Sequence, residues 1–104
     1  MLAVHYRTKK LKKVCTNLEA ARREYGSDMA DKIHIDKIHI RIGQIEVAES
    51  VSELLCNGIG RCHRLEGDRR GQYAMDLVHP YRLIFTEESE KTVSVRIEQI
   101  ADYH

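Results

Sequence analysis

The chain has 104 residues, with 17 Lys and Arg side chains against 16 Asp and Glu, and a formal net charge of +1. This length predicts one domain over residues 1–104 and excludes a two-domain enzyme with a nucleotide-binding half. Because no apolar run approaches the roughly 18 residues of a membrane span, and the N-terminus lacks the apolar stretch of a secretory signal, we expect a cytoplasmic protein without membrane contact.

The first part of the sequence predicts a strand followed by a helix. Residues 2–6 favour a short strand. Thr8 is a suitable helix N-cap, and Gly26 lies where a helix C-terminus prefers a left-handed residue. Between them, apolar residues recur at steps of three and four and predict one amphipathic helix over residues 8–24. These apolar residues are Leu11, Val14, Cys15, Leu18 and Ala21.

A second helix is predicted over residues 28–47, with Ser27 as its candidate N-cap. It contains a direct repeat, because the sequence DKIHI occupies residues 31–35 and again 36–40. At about 100° per residue, the apolar residues of this helix form two stripes on opposite faces. One stripe is Met29, Ile33, Ile40 and Val47, and the other is Ile35, Ile38, Ile42 and Ile45.

We interpret the repeat as a tandem duplication inside an amphipathic helix. Five extra residues turn a helix by about 140° net, which splits a single apolar face in two. With one copy deleted, the remaining apolar residues share one face: Met29, Ile33, Ile42 and Ile45. Two consequences stay open. The extra residues are absorbed at a loop or kink, or the helix is continuous and its extra Ile stripe meets a partner, as in a homodimer.

The second half of the sequence changes to the period-two pattern of strands. Ser50 begins a capping box for a short helix over Val51–Leu55. Strands are then predicted over residues 61–66, 72–78 and 81–86, with a last strand through Val93, Val95 and Ile97. The predicted fold is therefore α+β, with an N-terminal strand, a helical hairpin and an antiparallel meander of about four strands.

The three cysteines, Cys15, Cys56 and Cys62, have neither a disulfide spacing nor the ligand spacing of a zinc site. We expect buried thiols in a reducing compartment, and no metal. The sequence contains no phosphate-binding glycine loop, no His-Glu-x-x-His and no serine elbow, and no cofactor is predicted.

The residues with catalytic chemistry that remain are histidines near arginines. His63 lies on the first strand of the meander with Arg64 beside it, and Arg82 interrupts a strand that is otherwise mostly apolar. Taken singly, each has an ordinary explanation. A strand histidine is usually a hydrated surface residue, and Arg82 can pair with Asp76 across the His79-Pro80 turn.

Three motifs nevertheless occur in a specific order and spacing. They are His63-Arg-Leu-Glu-Gly-Asp-Arg, Tyr81-Arg-Leu-Ile-Phe and the terminal Asp102-Tyr-His. This pattern resembles the RelE/ParE toxin superfamily, and its HigB-like branch of plasmid killer proteins most closely. The resemblance covers residues 60–104, and the helical hairpin before them also fits, which implies the RelE-like microbial RNase fold. The duplicated DKIHI departs from the family pattern because it lengthens the second helix.

The resemblance implies the toxin of a type II toxin–antitoxin system, a metal-independent endoribonuclease that cuts mRNA in the A site of the ribosome. Its partners would be the 70S ribosome, mRNA and a cognate antitoxin with a helix-turn-helix DNA-binding domain. Carried over position by position, the resemblance implies a catalytic set of His63, Arg82, Asp102, Tyr103 and His104. Arg64 and Arg70 would join Arg82 in binding RNA phosphates.

Metal-free RNA cleavage needs a base, an acid and a cation beside the reacting phosphate. His63 and His104 are the acid–base candidates, with either assignment of the two roles. Arg82 would hold the phosphate by charge-assisted hydrogen bonds. Tyr103 would stack on a base or orient the phosphate, and Asp102 would orient an imidazole or abstract a proton.

The predicted first helix is strongly basic, since residues 1–25 carry seven basic and two acidic side chains. In a ribosome-dependent toxin, this helix would dock on ribosomal RNA, whereas the alternative is an ordinary solvated surface. The docking candidates are Lys9, Lys10, Lys12, Lys13, Arg22 and Arg23, together with Arg7.

Two further functions keep the same fold. The first is a ParE-like toxin that inhibits DNA gyrase by binding, without nuclease chemistry. The second is a toxin silenced by the duplication and retained as an antitoxin-binding module. Fold alone does not decide between these functions. The paired histidines favour the nuclease, because a pure binder needs none.

Overall fold

A mixed sheet of five strands organises the fold, which the computed structural model describes over residues 1–25, 35–89 and 93–102. The strands are β1 (Ala3–Tyr6), β2 (His63–Arg64), β3 (Tyr73–Asp76), β4 (Tyr81–Ser89) and β5 (Ser94–Asp102). The helices are α1 (Lys9–Thr16), α2 (Leu18–Tyr25), α3 (Ile35–Val47) and α4 (Val51–Cys56). Short 3₁₀ turns lie at Ile59–Arg61 and Gly67–Arg69. The predicted α+β class is confirmed.

The sheet order is β1-β5-β4-β3-β2. The predicted meander is confirmed, because β2, β3, β4 and β5 pair antiparallel with their neighbours in chain order. Strand β1 forms the other edge of the sheet, where it pairs parallel with β5 over Ala3–Tyr6. Parallel strands need a connection that returns the chain to the same end of the sheet. The chain between β1 and β5 makes this connection, and it contains the helices.

Helices α1, α3 and α4 pack on one face of this sheet, and α2 lies against α1. The main core joins Cys15 of α1, Ile38 and Ile45 of α3, and Leu54 of α4 to the sheet residue Phe85, each of them fully buried. Full burial of an apolar side chain of this size stabilises a fold by about 1.5–3 kcal/mol. A separate small cluster of Ala74, Ile84 and Ala101 contains no helical residue. We call the face that carries this small cluster the open face.

The predicted single helix over residues 8–24 is wrong in one respect, since it is broken at Asn17 into α1 and α2. Asn17 has an extended backbone, with φ −132° and ψ 119°. Its side-chain oxygen accepts hydrogen bonds from the backbone N–H of Glu19 at 2.9 Å and of Ala20 at 3.2 Å. An asparagine side chain that binds backbone N–H groups in this way competes with the helical hydrogen bonds. The spacing of the apolar residues is the same with or without this break, so the spacing does not predict it. Thr8 caps α1 as predicted, accepting from Leu11 N–H at 3.0 Å.

Helix α3 shows which of the two predicted stripes faces the core. Ile38, Ile42 and Ile45 are buried, whereas Ile40 is 52% exposed and Val47 is 69% exposed. The second copy of the repeat therefore packs against the sheet through one isoleucine and presents the other to solvent. The predicted start of this helix, residues 28–34, and the predicted cap Gly26 lie outside the described residues.

The predicted elements of the second half differ from the observed ones mainly at their ends. The capping box is confirmed, because Ser50 Oγ accepts from Glu53 N–H at 3.1 Å at the start of α4. The first predicted meander strand, 61–66, is reduced to β2, since Arg61 belongs to the preceding 3₁₀ turn and residues 65–66 lead into the next one at Gly67. The last two strands extend beyond their predicted ends, to Ser89 and Asp102. Among the described helices, none has the length and hydropathy of a membrane-spanning segment.

Replacing Asn17 tests the break between α1 and α2. We expect Asn17→Ala to lower the free energy of unfolding by about 1 kcal/mol, because two backbone donors of α2 lose their cap. Asn17→Asp keeps the accepting oxygen and serves as the matched control. Urea unfolding followed by circular dichroism measures both variants. An alanine variant as stable as the wild type would indicate the continuous helix that the periodicity predicts.

Candidate functional site

The open face carries two of the predicted catalytic side chains. His63 of β2 pairs with Ala74 of β3. Arg82 of β4 lies between Asp76 of β3 and Ala101 of β5. Residues directly opposite each other in a sheet share a face, and Ala74 and Ala101 belong to the open-face cluster. The Cα atoms of His63 and Arg82 are about 12 Å apart from strand spacing, so the two residues would engage a substrate between them.

His63 is held by one ring nitrogen. Its Nδ1 lies 2.7 Å from the backbone carbonyl oxygen of Arg61. Because a carbonyl oxygen only accepts, Nδ1 carries the proton and donates it. This bond fixes the ring orientation, and it leaves Nε2 of the neutral ring as the nitrogen with a lone pair. The side chain is half-buried at the start of β2.

The carbonyl that holds His63 is presented by a left-handed turn. Gly58 and Gly60 both have φ +58°, and Arg61 has φ +54°. For a non-glycine residue this conformation costs about 1 kcal/mol or more, and such residues concentrate at functional sites. The strained backbone of Arg61 thus orients its carbonyl towards the imidazole two residues later.

Asp76 links this turn to Arg82. Its Oδ2 lies 2.9 Å from Arg61 Nε, and its Oδ1 lies 3.6 Å from Arg82 Nε. The predicted pairing of Arg82 with Asp76 is confirmed. Oδ1 itself is buried without a hydrogen bond. The carboxylate therefore holds two guanidinium groups at one end of the sheet, next to the strand that carries His63.

A small pocket of about 110 Å³ opens at the Arg82 end of the open face. Arg61 and Arg82, the two arginines that pair with Asp76, both line this pocket. Its walls are Arg61, Asp76, Leu77, His79, Pro80, Tyr81 and Arg82. Two guanidinium groups beside a cleft provide the charge and the donors that an anion requires. The pocket is an anion-binding candidate.

A β-bulge brings further polar groups to the open face. The register between β4 and β5 shifts between Ile84 and Phe85, so that Glu98 has no cross-strand partner. Glu98 and Gln99 then lie on the same side of the strand, as a bulge allows. Gln99 Oε1 accepts from Arg69 Nη1 at 2.9 Å, which places that guanidinium over the open face.

Glu98 is the buried centre of a second charge cluster, at the β1 edge of the open face. Its side chain is only 4% exposed. Oε1 accepts from Thr86 Oγ1 at 2.9 Å and from Arg96 Nη2 at 2.8 Å, and Oε2 lies 3.9 Å from Arg7 Nη1. Burial of a carboxylate is tolerated because it is paired and hydrogen-bonded in this way.

The structure does not bring Arg64 and Arg70 together with Arg82. Arg64 pairs with Tyr73, which packs against the main core on the opposite face. Both arginines line a separate pocket of about 540 Å³ beside the Gly67–Arg69 turn. Burial and a hydrogen bond to Glu87 raise the pKa of Tyr73, so its hydroxyl stays protonated in this pocket.

The remaining predicted catalytic residues lie at the end of β5. The backbone of Asp102 is in register with Tyr81 at the start of β4, next to the pairing of Ala101 with Arg82. Tyr103 and His104 lie outside the described residues.

The cysteine beside His63 is not positioned as a nucleophile. Burial raises the pKa of Cys62 to about 11 and that of Cys15 to about 12, so both thiols stay protonated at neutral pH. The prediction of buried thiols is confirmed for these two residues but is wrong for Cys56, which is exposed. In the described parts of the chain, no three His, Cys, Asp or Glu side chains are grouped as metal ligands.

Sequence reasoning assigned no role in the site to Arg61 and Arg69. A signal for Arg61 was present in the sequence, since it precedes His63 by two residues, a spacing that places two side chains on the same side of an extended chain. Arg69 reaches the open face from a 3₁₀ turn, and no strand periodicity predicts that position. The basic residues predicted to dock on ribosomal RNA are exposed on α1 and α2. They are Lys9, Lys10, Lys12, Lys13, Arg22 and Arg23.

Solved structures match this fold along the whole chain, although no family model and no curated protein sequence matches. A YoeB/ParE toxin from Agrobacterium tumefaciens superposes with a TM-score of 0.63 and 12% identity, covering 99% of this chain and 100% of that chain. A YoeB-YefM complex from Staphylococcus aureus gives 0.61 and 18%, covering 100% and 98%. The YoeB dimer from Staphylococcus aureus gives 0.60 and 17%, covering 99% and 97%.

The chain has the fold of the YoeB and ParE toxins. This confirms the predicted fold class, and the neighbours belong to the predicted RelE/ParE superfamily. The HigB-like branch within that superfamily stays a prediction.

The ion pairs of Asp76 allow a direct test. We expect Asp76→Asn to lower the free energy of unfolding by about 1–2 kcal/mol, because two guanidinium groups lose their counter-charge in a partly buried place. The matched control is Glu88→Gln, whose partner His5 is 59% exposed and whose loss costs under about 0.5 kcal/mol. Urea unfolding at pH 7 measures both. Equal losses would show that Asp76 is no more than a surface ion pair.

Proposed function

We propose that this chain is the toxin of a type II toxin–antitoxin system and that it cleaves mRNA on the ribosome as a metal-independent endoribonuclease. The observation that carries the proposal is the geometry of His63. Its Nδ1 is fixed by the Arg61 carbonyl, and it shares the open face with Arg82. An oriented imidazole and a cation on one accessible face supply one of the two proton-transfer groups and the cation that this chemistry needs.

In the proposed reaction the ribose 2′-oxygen attacks the adjacent phosphorus. The bond from phosphorus to the 5′-oxygen breaks, and the products are a 2′,3′-cyclic phosphate and a 5′-hydroxyl. A base takes the proton of the 2′-hydroxyl, and an acid gives a proton to the leaving 5′-oxygen. Nε2 of His63 takes a proton as the neutral ring or gives one as the charged ring, so His63 fills either role.

Arg82 faces the negative charge that develops on the phosphate. Its guanidinium lies 3.6 Å from Asp76, a longer separation than a charge-assisted hydrogen bond. The same guanidinium lines the neighbouring pocket, where a phosphate would lie within its reach. Arg61 lines the same pocket and would share this binding.

The second proton-transfer group is proposed from the family resemblance alone. It is His104, with Tyr103 and Asp102 in supporting roles. Asp102 ends the strand that pairs with the start of β4, where Arg82 lies, and Tyr103 and His104 follow it in the sequence. Arg64 and Arg70 would contact RNA beyond the cleaved bond, since they line a separate pocket.

Two kinds of partner belong to this proposal. The first is a cognate antitoxin, since a structure with this fold has been solved as a YoeB-YefM complex. The second is another copy of the chain, since a YoeB dimer has also been solved. The exposed stripe of α3, with Ile40 and Val47, provides an apolar surface for such a contact.

Primer extension on a defined mRNA tests the proposed function. We expect cuts only with translating ribosomes, and we expect His63→Ala to lower the cleavage rate by about 10²- to 10⁴-fold because a proton-transfer group is lost. His39→Ala, on the exposed side of α3, is the control and should cleave at the wild-type rate. Absence of cuts by folded wild-type protein would contradict the nuclease. Inhibition of gyrase supercoiling by that protein would then identify a binder.

The basic surface of α1 should dock on ribosomal RNA. We expect the double variant Lys9→Glu/Lys12→Glu to weaken ribosome binding and to flatten its dependence on the logarithm of salt concentration by about 0.7–0.9 for each phosphate that the variant no longer neutralises. Both residues are exposed, and acidic side chains at the start of a helix do not disfavour it. Lys37→Glu on α3 is the control. An unchanged salt dependence would indicate an ordinary solvated surface.

A further inference from the structure

A side chain of the helical layer, that of Arg41, reaches the end of the sheet where the candidate site lies. Arg41 of α3 donates from Nε to the backbone carbonyl of Asp76 at 2.6 Å. It also donates from Nη1 to Gln44 Oε1 at 2.9 Å, one turn along its own helix. The second bond fixes the plane of the guanidinium, so the first is made in one orientation.

The same guanidinium lies against the turn that holds His63. A Cβ atom added to Gly60 would meet Arg41 Nε at 2.8 Å and Cδ at 2.9 Å. Gly58, with the same φ of +58°, has nothing within 4 Å of such an atom. The missing side chain at Gly60 is therefore what lets Arg41 pass between the turn and β3.

Arg41 thus touches both segments that carry the site. On one side it holds Asp76, whose carboxylate pairs with Arg61 and Arg82. On the other side it lies against Gly60, directly before the carbonyl that orients His63. Neither interaction reaches a substrate, so any effect on chemistry passes through His63 and Arg82.

We propose that Arg41, seated in the gap at Gly60, is a positioning residue that fixes the Ile59–Arg61 turn against the end of β3 and so sets the orientation of His63 and Arg82. This inference rests on the proposed function for its effect on cleavage. Its structural content, the orientation of the His63 ring, is independent of that function. Small displacements of reacting groups reduce rates strongly, by up to about a hundredfold for 1 Å.

The two glycines supply a matched pair of variants. Gly60→Ala and Gly58→Ala impose the same left-handed strain on an alanine, but only the first forces Arg41 away. Arg41→Ala removes the interaction from the other side. Arg41→Lys keeps a charged donor for the Asp76 carbonyl while losing the planar group, and should restore part of the effect.

The first readout is the tautomer of His63, measured by the ¹⁵N chemical shifts of its ring nitrogens. We expect the neutral ring of the wild type to be protonated at Nδ1. In Gly60→Ala and Arg41→Ala the population protonated at Nε2 should rise, because the Arg61 carbonyl is no longer held in place. Gly58→Ala should keep the wild-type shifts.

The second readout is ribosome-dependent cleavage. We expect kcat to fall about tenfold to a hundredfold in Gly60→Ala and Arg41→Ala, with KM changed less than about twofold. Gly58→Ala should retain the wild-type kcat. The double variant should be no slower than the slower of the two single variants, because both substitutions disrupt the same interaction.

The outcomes separate this inference from the proposed function. If wild-type protein does not cleave but the ring shifts change as expected, the positioning role stands and the nuclease proposal fails. If the ring shifts of Gly60→Ala and Arg41→Ala match those of Gly58→Ala, the positioning role is overturned whether or not the protein cleaves. Independent, multiplying losses in the double variant would also overturn it.

Discussion

The geometry of the candidate site depends on the environment of Asp76. This residue ends β3, where the sheet stops offering backbone partners, and its carbonyl is satisfied by Arg41 of a helix instead. Its carboxylate pairs with Arg61 of the turn before β2 and with Arg82 of β4. One residue therefore joins the helical layer, the turn before β2 and the start of β4. A carboxylate that is only 27% exposed requires such partners, because an unpaired charge in that position would destabilise the fold.

Four arginines at the open face lie around two carboxylates. Asp76 holds Arg61 and Arg82 at one end, and Glu98 holds Arg96 and Arg7 at the other. Paired guanidinium groups keep their orientation but project a weaker field than unpaired ones. We expect such a surface to attract a free polyanion only modestly, in keeping with the net charge of +1. Under the proposed function such a surface suffices, because the ribosome delivers the substrate and binding energy is needed at the reacting phosphate and not along the whole strand.

Sequence patterns predicted the elements that the spacing of apolar residues determines. They missed features that depend on a side-chain cap, on the face of a strand or on pairing between distant segments. The alternation of Leu83 and Phe85 predicted β4, and the turn at His79-Pro80 predicted the pairing of Asp76 with Arg82. The break at Asn17 escaped because a side-chain cap leaves the apolar spacing unchanged. Arg64 was grouped with Arg82, yet it lies on the other face, since neighbouring residues of a strand alternate. The parallel pairing of β1 with β5 joins segments from opposite ends of the chain, which no local pattern specifies.

The repeat in the helical layer is compatible with an intact site, because the second copy continues into α3 with the same buried stripe that a single copy would have. Deleting either copy of DKIHI leaves the same sequence from Asp36 onwards, so Ile38 stands where Ile33 would stand in a shorter helix. The single stripe predicted for that shorter helix is then the one seen in the core, with Ile38, Ile42 and Ile45 buried. These residues fix the rotation of α3, and Arg41 lies between two of them. An insertion before Asp36 changes the chain that leads into α3 but not the direction in which Arg41 points. The packing that directs Arg41 towards the candidate site is therefore the packing that a single copy of the repeat would give.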